Sequence, residues 1–190
     1  MDIKKSEFRT DQTKFLGYII STSGISVDPA KVEAVANWEP PRKVRELQSF
    51  LGFCNFYRQF IDEYSRISKQ LHRLTASLEW EWTQEHQVAF NLLKEALTSA
   101  PTLAHFQEDR PTKLETDASD GIISGALSQL SDQGEWHPVA FFSKTMGAAE
   151  CNYPIHDKEL LAIVKSLKEW ESLLISCRNT FNVYINHQAL

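Results

Sequence analysis

The sequence predicts a chain of mixed α+β and α/β character in two parts, a helix-rich first part and a second part of order β-β-β-α-β. Three observations carry this. Short runs rich in β-branched residues, which read as strands, open the chain and return after residue 111, and segments of helical spacing lie between them. The stretch ASLEWEW (76–82) marks a change of character. Charge divides at the same place: residues 1–75 carry 12 Lys+Arg against 9 Asp+Glu, a net +3, and residues 76–190 carry 8 against 16, a net −8. A basic part attracts a polyanion, and an acidic part repels one unless cations intervene.

The elements follow in order. TKFLGYII (13–20) reads extended, STSG supplies a turn and ISVD continues, a hairpin. Asp28 before Pro29 is an N-cap with proline at the first helical position, opening AKVEAVANW; Pro40-Pro41 stops that helix. A longer helix is predicted over roughly residues 43–61, with Val44, Leu47, Leu51, Cys54 and Ile61 on one stripe. YSRISKQLHRLT adds a short helical segment. Thr83 caps a helix to Leu97, closed by Ser99-Ala100-Pro101. KLETDAS (113–119), IISGALSQL (122–130) and HPVAFFSK (137–144) read as three strands. Asn152-Tyr153-Pro154 opens a long helix to Leu174 with a stripe of Leu160, Val164, Leu167 and Leu174, and FNVYI is a last strand. The expected organisation is residues 1–75, a connecting helix and linker over 76–110, and a domain over 111–190.

Composition narrows the class. A hydrophobic content of 42 % with 24 % charged residues fits a globular chain with a packed core. No apolar run approaches the roughly 20 residues of a membrane span, and MDIKKSEFRT carries no signal-peptide stretch. Cys54, Cys151 and Cys177 are odd in number and lack CxxC spacing, so they read as free thiols in a reducing compartment. An intracellular protein, in cytoplasm or nucleus, is the expectation. The six histidines show no metal-ligand spacing.

Two features bear on chemistry. Asp117 lies near the end of a strand and Glu159 in the second turn of the long helix. Two-metal phosphodiester hydrolysis needs several carboxylates from different elements around ions about 3.5–4 Å apart, and Mg²⁺ takes carboxylate oxygens while keeping waters. Such a pair fits, and so does a pair of solvated surface acids. The second feature is a helical face bearing Gln48, Gly52 and Phe56 at i, i+4, i+8, with Asn55 beside them. Glycine inside a helix costs about 0.8–1.0 kcal/mol against alanine. Either close approach of another surface or tight packing against a second helix accounts for it.

ETDASDG, HPVAFFSK and NYPIHDKELLAIVKSLKEW together resemble the ribonuclease H domain of gypsy-type LTR retrotransposon Pol polyproteins. The stretch from FLGYIIS to FCNFYRQFI resembles the end of the reverse transcriptase in the same polyproteins, and WTQEHQVAFNLLKEALTSAPTLAHF their connecting segment. The resemblance implies the end of a palm and a helical thumb followed by a truncated RNase H-like domain. It also implies a partner, an RNA–DNA hybrid or template–primer duplex, and Mg²⁺ or Mn²⁺ as cofactor. The family's RNase H pattern uses four acidic residues. Asp117 matches the first and Glu159 the second, which makes both the implied metal ligands. The third stands in a TDHQAL-like segment; here it reads INHQAL and the position is Asn186, a degenerate catalytic position. The fourth lies on a later helix. Asn offers a neutral amide oxygen and no charge, so a catalytically deficient chain is expected.

The helix with Gly52 is similar to the thumb helix that tracks the minor groove of the template–primer. Gln48, Gly52, Asn55 and Phe56 match that track, with Arg42, Lys43, Arg45 and Arg58 placed to meet phosphates. Phe15, Leu16, Gly17 and Tyr18 resemble the hairpin that grips the primer end. The family's polymerase site carries an Asp-Asp pair, and none occurs in this sequence. Two other readings stay open: a domesticated binding or interaction protein, and an RNase H active only when completed by another Pol-derived chain. An apolar sheet face left uncovered would favour a homo-oligomer.

Overall fold

The computed structural model describes residues 10–185. The predicted hairpin is a three-stranded antiparallel meander: β1 (Gln12–Phe15), β2 (Tyr18–Ser21) and β3 (Gly24–Val27). Within FLGY, Leu16 and Gly17 form a two-residue turn with φ of 50° and 85°. Positive φ at both positions is what a tight turn matching the strand twist requires. Asp28 caps α1 (Pro29–Ala36), accepting a hydrogen bond from the Ala30 amide at 3.0 Å.

Helix α2 (Val44–Phe56) stops short of the predicted residue 61. Tyr57 leaves the helical region, and one 3-10 turn (Arg58–Phe60) follows. The break lets the Tyr57 hydroxyl donate to the Gly17 carbonyl at 3.2 Å and sends Phe60 and Ile61 into the core. Leu47, Leu51 and Cys54 are buried as the helical spacing requires, and Val44 is half-buried. Phe50 is fully buried, its ring centroid 4.5 Å from Phe90 and 5.5 Å from Trp38. Helices α3 (Tyr64–Thr75) and α4 (Gln84–Thr98) complete this layer, and α4 contributes Phe90, Leu93 and Leu97 to the same core. Burial pushes the Cys54 thiol up to about 12, far from the thiolate form that reacts at neutral pH. In a thiol-labelling assay at pH 8, exposed Cys151 is expected to react at once and Cys54 only after denaturant is added.

The second sheet has strand order β6-β5-β4-β7. Its strands are β4 (Thr112–Ser119), β5 (Ile122–Leu130), β6 (Trp136–Thr145) and β7 (Asn182–Ile185), with β7 parallel to β4 and the other pairs antiparallel. Helices α5 (Ile155–Glu169) and α6 (Glu171–Leu174) replace the predicted single helix. The break is at Trp170, which is buried edge-on to Phe142 at 6.2 Å.

The predicted apolar stripe of this helix is corrected. Leu174 is buried and Leu167 partly so, but Leu160 is 58 % and Val164 40 % exposed. The face that meets β4 and β5 carries Ala162 and Ser166 instead. Close packing is the reason: a Cβ added to Gly125 would lie 2.6 Å from Ser166 Oγ and 3.4 Å from the Trp170 ring. That hydroxyl is buried without a hydrogen-bond partner. An orphaned buried polar group costs about 1–3 kcal/mol, so Ser166→Ala is expected to raise the urea midpoint. A lowered midpoint would show that the hydroxyl is satisfied in solution.

Two seams join the layers. Leu103 exchanges both backbone hydrogen bonds with Ile25 of β3 at 2.8 Å, and the next amide, Ala104, donates to the Pro138 carbonyl of β6 at 2.8 Å. Helix α3 lies against β6, where the Ser65 amide donates to Ser143 Oγ at 2.7 Å. Among the described residues no helix is long and apolar enough to cross a membrane.

Candidate functional site

The exposed face of α2 and the β1–β2 turn lie side by side. Gln48, Gly52, Asn55 and Phe56 are all exposed. A Cβ built on Gly52 meets nothing within 4 Å. Tight packing inside the protein therefore does not account for this glycine, and the helix presents bare backbone to solvent.

The turn is tied to this face. Tyr18 stacks on Phe56 with centroids 5.2 Å apart, and its hydroxyl donates to the Phe56 carbonyl at 3.1 Å. Burial of the Tyr18 ring raises its phenol above the usual range. Of the four turn residues, Gly17 and Tyr18 thus hold the turn on the helix, while Phe15 (57 %) and Leu16 (69 %) are exposed. Leu16 combines an apolar side chain in solvent with a left-handed backbone that costs roughly 1–2 kcal/mol in a residue bearing a Cβ. Strain kept at an exposed apolar residue points to use.

The basic residues surround this face in surface ion pairs. Arg42 meets Glu39 at 3.8 Å, Lys43 meets Glu46 at 3.3 Å, and Arg58 meets Glu169 of α5 at 3.7 Å. Arg45 is exposed on the first turn of α2. Surface pairs contribute about 0–1 kcal/mol each, so a phosphate can displace the carboxylates at little cost.

Asp117 lies near the end of β4, as the sequence reading expects. It pairs with Ser124 in the antiparallel register, next to the Thr116–Gly125 pair. Gly125 faces Ser166 of α5, so Thr116 shares that face and Asp117 takes the opposite one. There it meets α3: Arg66 Nη2 lies 3.3 Å from Asp117 Oδ2, and Ser119 Oγ donates to the same oxygen at 2.8 Å. Arg66 also pairs with Glu63 at 3.1 Å and hydrogen-bonds Ser119 Oγ. Asp62, Glu63, Glu115 and Tyr184 line the same open cleft. Burial raises the Asp62 and Glu63 carboxyls, and the Arg66 guanidinium opposes the rise in both.

Glu159 lies in the second turn of α5 and is not among the described residues lining that cleft. Asn186 lies outside the described residues. Among the described residues, no group of three or more His, Cys, Asp or Glu could hold a metal ion. With Asp117 Oδ2 met by a guanidinium, the described residues alone do not assemble a Mg²⁺ or Mn²⁺ centre. Sequence reasoning missed Arg66, Ser119 and Tyr57. Arg66 stands 51 residues from Asp117 in the chain, and nothing in YSRISKQLHRLT sets it apart from a solvated arginine.

Known proteins share this architecture. The Tf2-3 transposon polyprotein of Schizosaccharomyces pombe is 38 % identical over 187 residues, 98 % of this chain and 14 % of the polyprotein. The Tf2-4 polyprotein matches equally. The chain thus spans about a seventh of the length of the curated relatives it matches. A foamy viral protease–reverse transcriptase in complex with dsDNA superposes with a TM-score of 0.79 and 27 % identity, over 98 % of this chain and 39 % of that one. The same enzyme in complex with RNA/DNA hybrid gives a TM-score of 0.78 over 98 % of this chain and 25 % of that one. A family model described as the RNase H-like domain found in reverse transcriptase matches residues 82–183, from the Trp82 segment to the start of β7. With that match over more than half its length, this chain belongs to the family of RNase H-like domains found in reverse transcriptase.

Proposed function

We propose that this chain is the duplex-holding part of a retrotransposon reverse transcriptase: the end of a palm with a primer-grip-like turn, a thumb formed by α2 and α3, and an RNase H-like module. The template–primer or RNA–DNA hybrid runs along the exposed face of α2. Gly52 carries this reading, because a helix glycine whose added Cβ would meet nothing within 4 Å is explained by a surface that approaches from outside. Gln48, Asn55 and Phe56 flank the contact, Phe15 and Leu16 press on the primer end, and Arg42, Lys43, Arg45 and Arg58 meet phosphates. The foamy viral enzymes solved with RNA/DNA hybrid and with dsDNA support it. Recognition is by shape and backbone charge, not base sequence.

The RNase H-like module does not cut on its own in this reading. Asn186 stands where a third carboxylate is needed, and Asp117 is engaged by Arg66. The protein works inside the cell, and other Pol-derived chains are the partners that would complete a nuclease.

The test is binding of the chain to RNA–DNA hybrid and to DNA duplex over a salt series, with strand cleavage followed in Mg²⁺ and in Mn²⁺. Four phosphate contacts predict a slope of log K against log [salt] of about −3 to −4. Dissociation constants of roughly 10⁻⁴–10⁻⁶ M at physiological salt are expected. Absence of binding at low salt would remove the duplex reading. Hybrid cleavage by the chain alone would remove the claim of deficiency.

A further inference from the structure

We propose that Arg66 is the resident counter-charge of Asp117, and that the pair latches α3 to β4 as one scaffold while opposing a divalent cation at Asp117. The contacts come from one short stretch of α3. Ser65 donates its amide to Ser143 Oγ of β6 at 2.7 Å. Arg66 reaches Asp117 Oδ2 at 3.3 Å and Ser119 of β4. One turn on, Lys69 Nζ donates to the Asp120 carbonyl at 2.7 Å. Arg66 and Lys69, at i and i+3, lie on one face of α3, and with the Ser65 amide of its first turn they contact the end of β4, the turn after it, and β6 across the intervening β5.

The chemistry of the carboxylate follows. Asp117 Oδ2 already accepts from Arg66 and from Ser119. Ser119 Oγ is held between the two, giving its proton to Asp117 and accepting from the guanidinium. Glu63, at the N-cap of the same helix, fixes the other arm of the fork at 3.1 Å. A planar, permanently charged fork suits such a bridge between two carboxylates, and a lysine does not replace it. A Mg²⁺ ion at Asp117 would compete with these donors for Oδ2, and at Oδ1 it would sit beside a fixed guanidinium whose charge repels a second cation. Docking of α3 and metal at Asp117 therefore oppose each other.

The latch is independent of duplex binding, so its test uses no nucleic acid. Amide hydrogen exchange is compared in the full chain, Arg66→Gln, Asp117→Asn and the double variant. Each single variant is expected to speed exchange at α3 amides and at Asp117–Ser119 at least tenfold, and the double variant to add nothing further, as one shared interaction requires. In the unaltered chain, Mn²⁺ is expected to leave the Asp117 and Ser119 amide signals unbroadened. Unchanged exchange in the single variants, additive effects in the double, or selective Mn²⁺ broadening at Asp117 in the unaltered chain would each overturn the proposal. If the substitutions unfold the second sheet, Arg66→Lys decides. It keeps the charge and loses the fork, and wild-type exchange rates in α3 would refute the latch.

Discussion

Phe50→Ala is expected to destabilise the helical layer by about 3–5 kcal/mol, the usual cost of emptying a phenylalanine site in a packed core. The ring is fully buried and joins three stretches of chain, its own helix included. It belongs to α2, packs 4.5 Å from Phe90 of α4, and lies 5.5 Å from Trp38 beyond α1. Its two ring neighbours are not free to fill the space, since Trp38 and Phe90 are themselves held by other rings and by Lys94, whose Nζ donates to the Trp38 carbonyl at 2.9 Å. For a chain of this size each kcal/mol shifts the melting midpoint by roughly 2–4 °C. A drop of about 6–20 °C is the expected reading from circular dichroism. A drop below 3 °C would mean that Phe50 is not a keystone of this core.

Gly52→Leu is expected to act in opposite directions on stability and on binding. Leucine is nearly as good a helix former as alanine, so the replacement gains close to the 0.8–1.0 kcal/mol that glycine costs. Nothing within 4 Å of the new Cβ resists it, and a rise of about 2–4 °C in melting midpoint should follow. The same side chain stands off any surface that lies against α2, and affinity for RNA–DNA hybrid should fall at least tenfold. A lower midpoint would mean that the glycine serves packing after all. Unchanged affinity with a raised midpoint would move the duplex to another face.

The two halves of the chain differ in how far their sequence reveals them. In α2 helical periodicity identifies Leu47, Leu51 and Cys54 as buried and leaves the track of Gln48, Gly52 and Phe56 exposed, although it passes over the buried Phe50. In α5 the same rule fails. The sheet admits this helix so closely, at Gly125, that Ser166 and the edge of Trp170 meet it, with Ala162 buried one turn earlier, and the larger Leu160 and Val164 turn away. Periodicity of hydrophobicity locates large residues, and a tight interface is made of small ones. The ends of α2 and α5 were also out of reach, because Tyr57 and Trp170 stop being helical for the sake of partners distant in the chain. The environment of Asp117 is the extreme case: its charge partner comes from a helix of the other layer.

The stitch made by Leu103 and Ala104 sets a ruler. Two consecutive residues bind β3 on one side and β6 on the other, and neither sheet can swing about this seam without breaking backbone hydrogen bonds. A nucleic-acid duplex seated on α2 would arrive at the second sheet after a constant number of base pairs and with a constant helical phase. The spacing between grip and second module would then be written in backbone geometry and carried by the protein itself, whatever the sequence of the strand it holds.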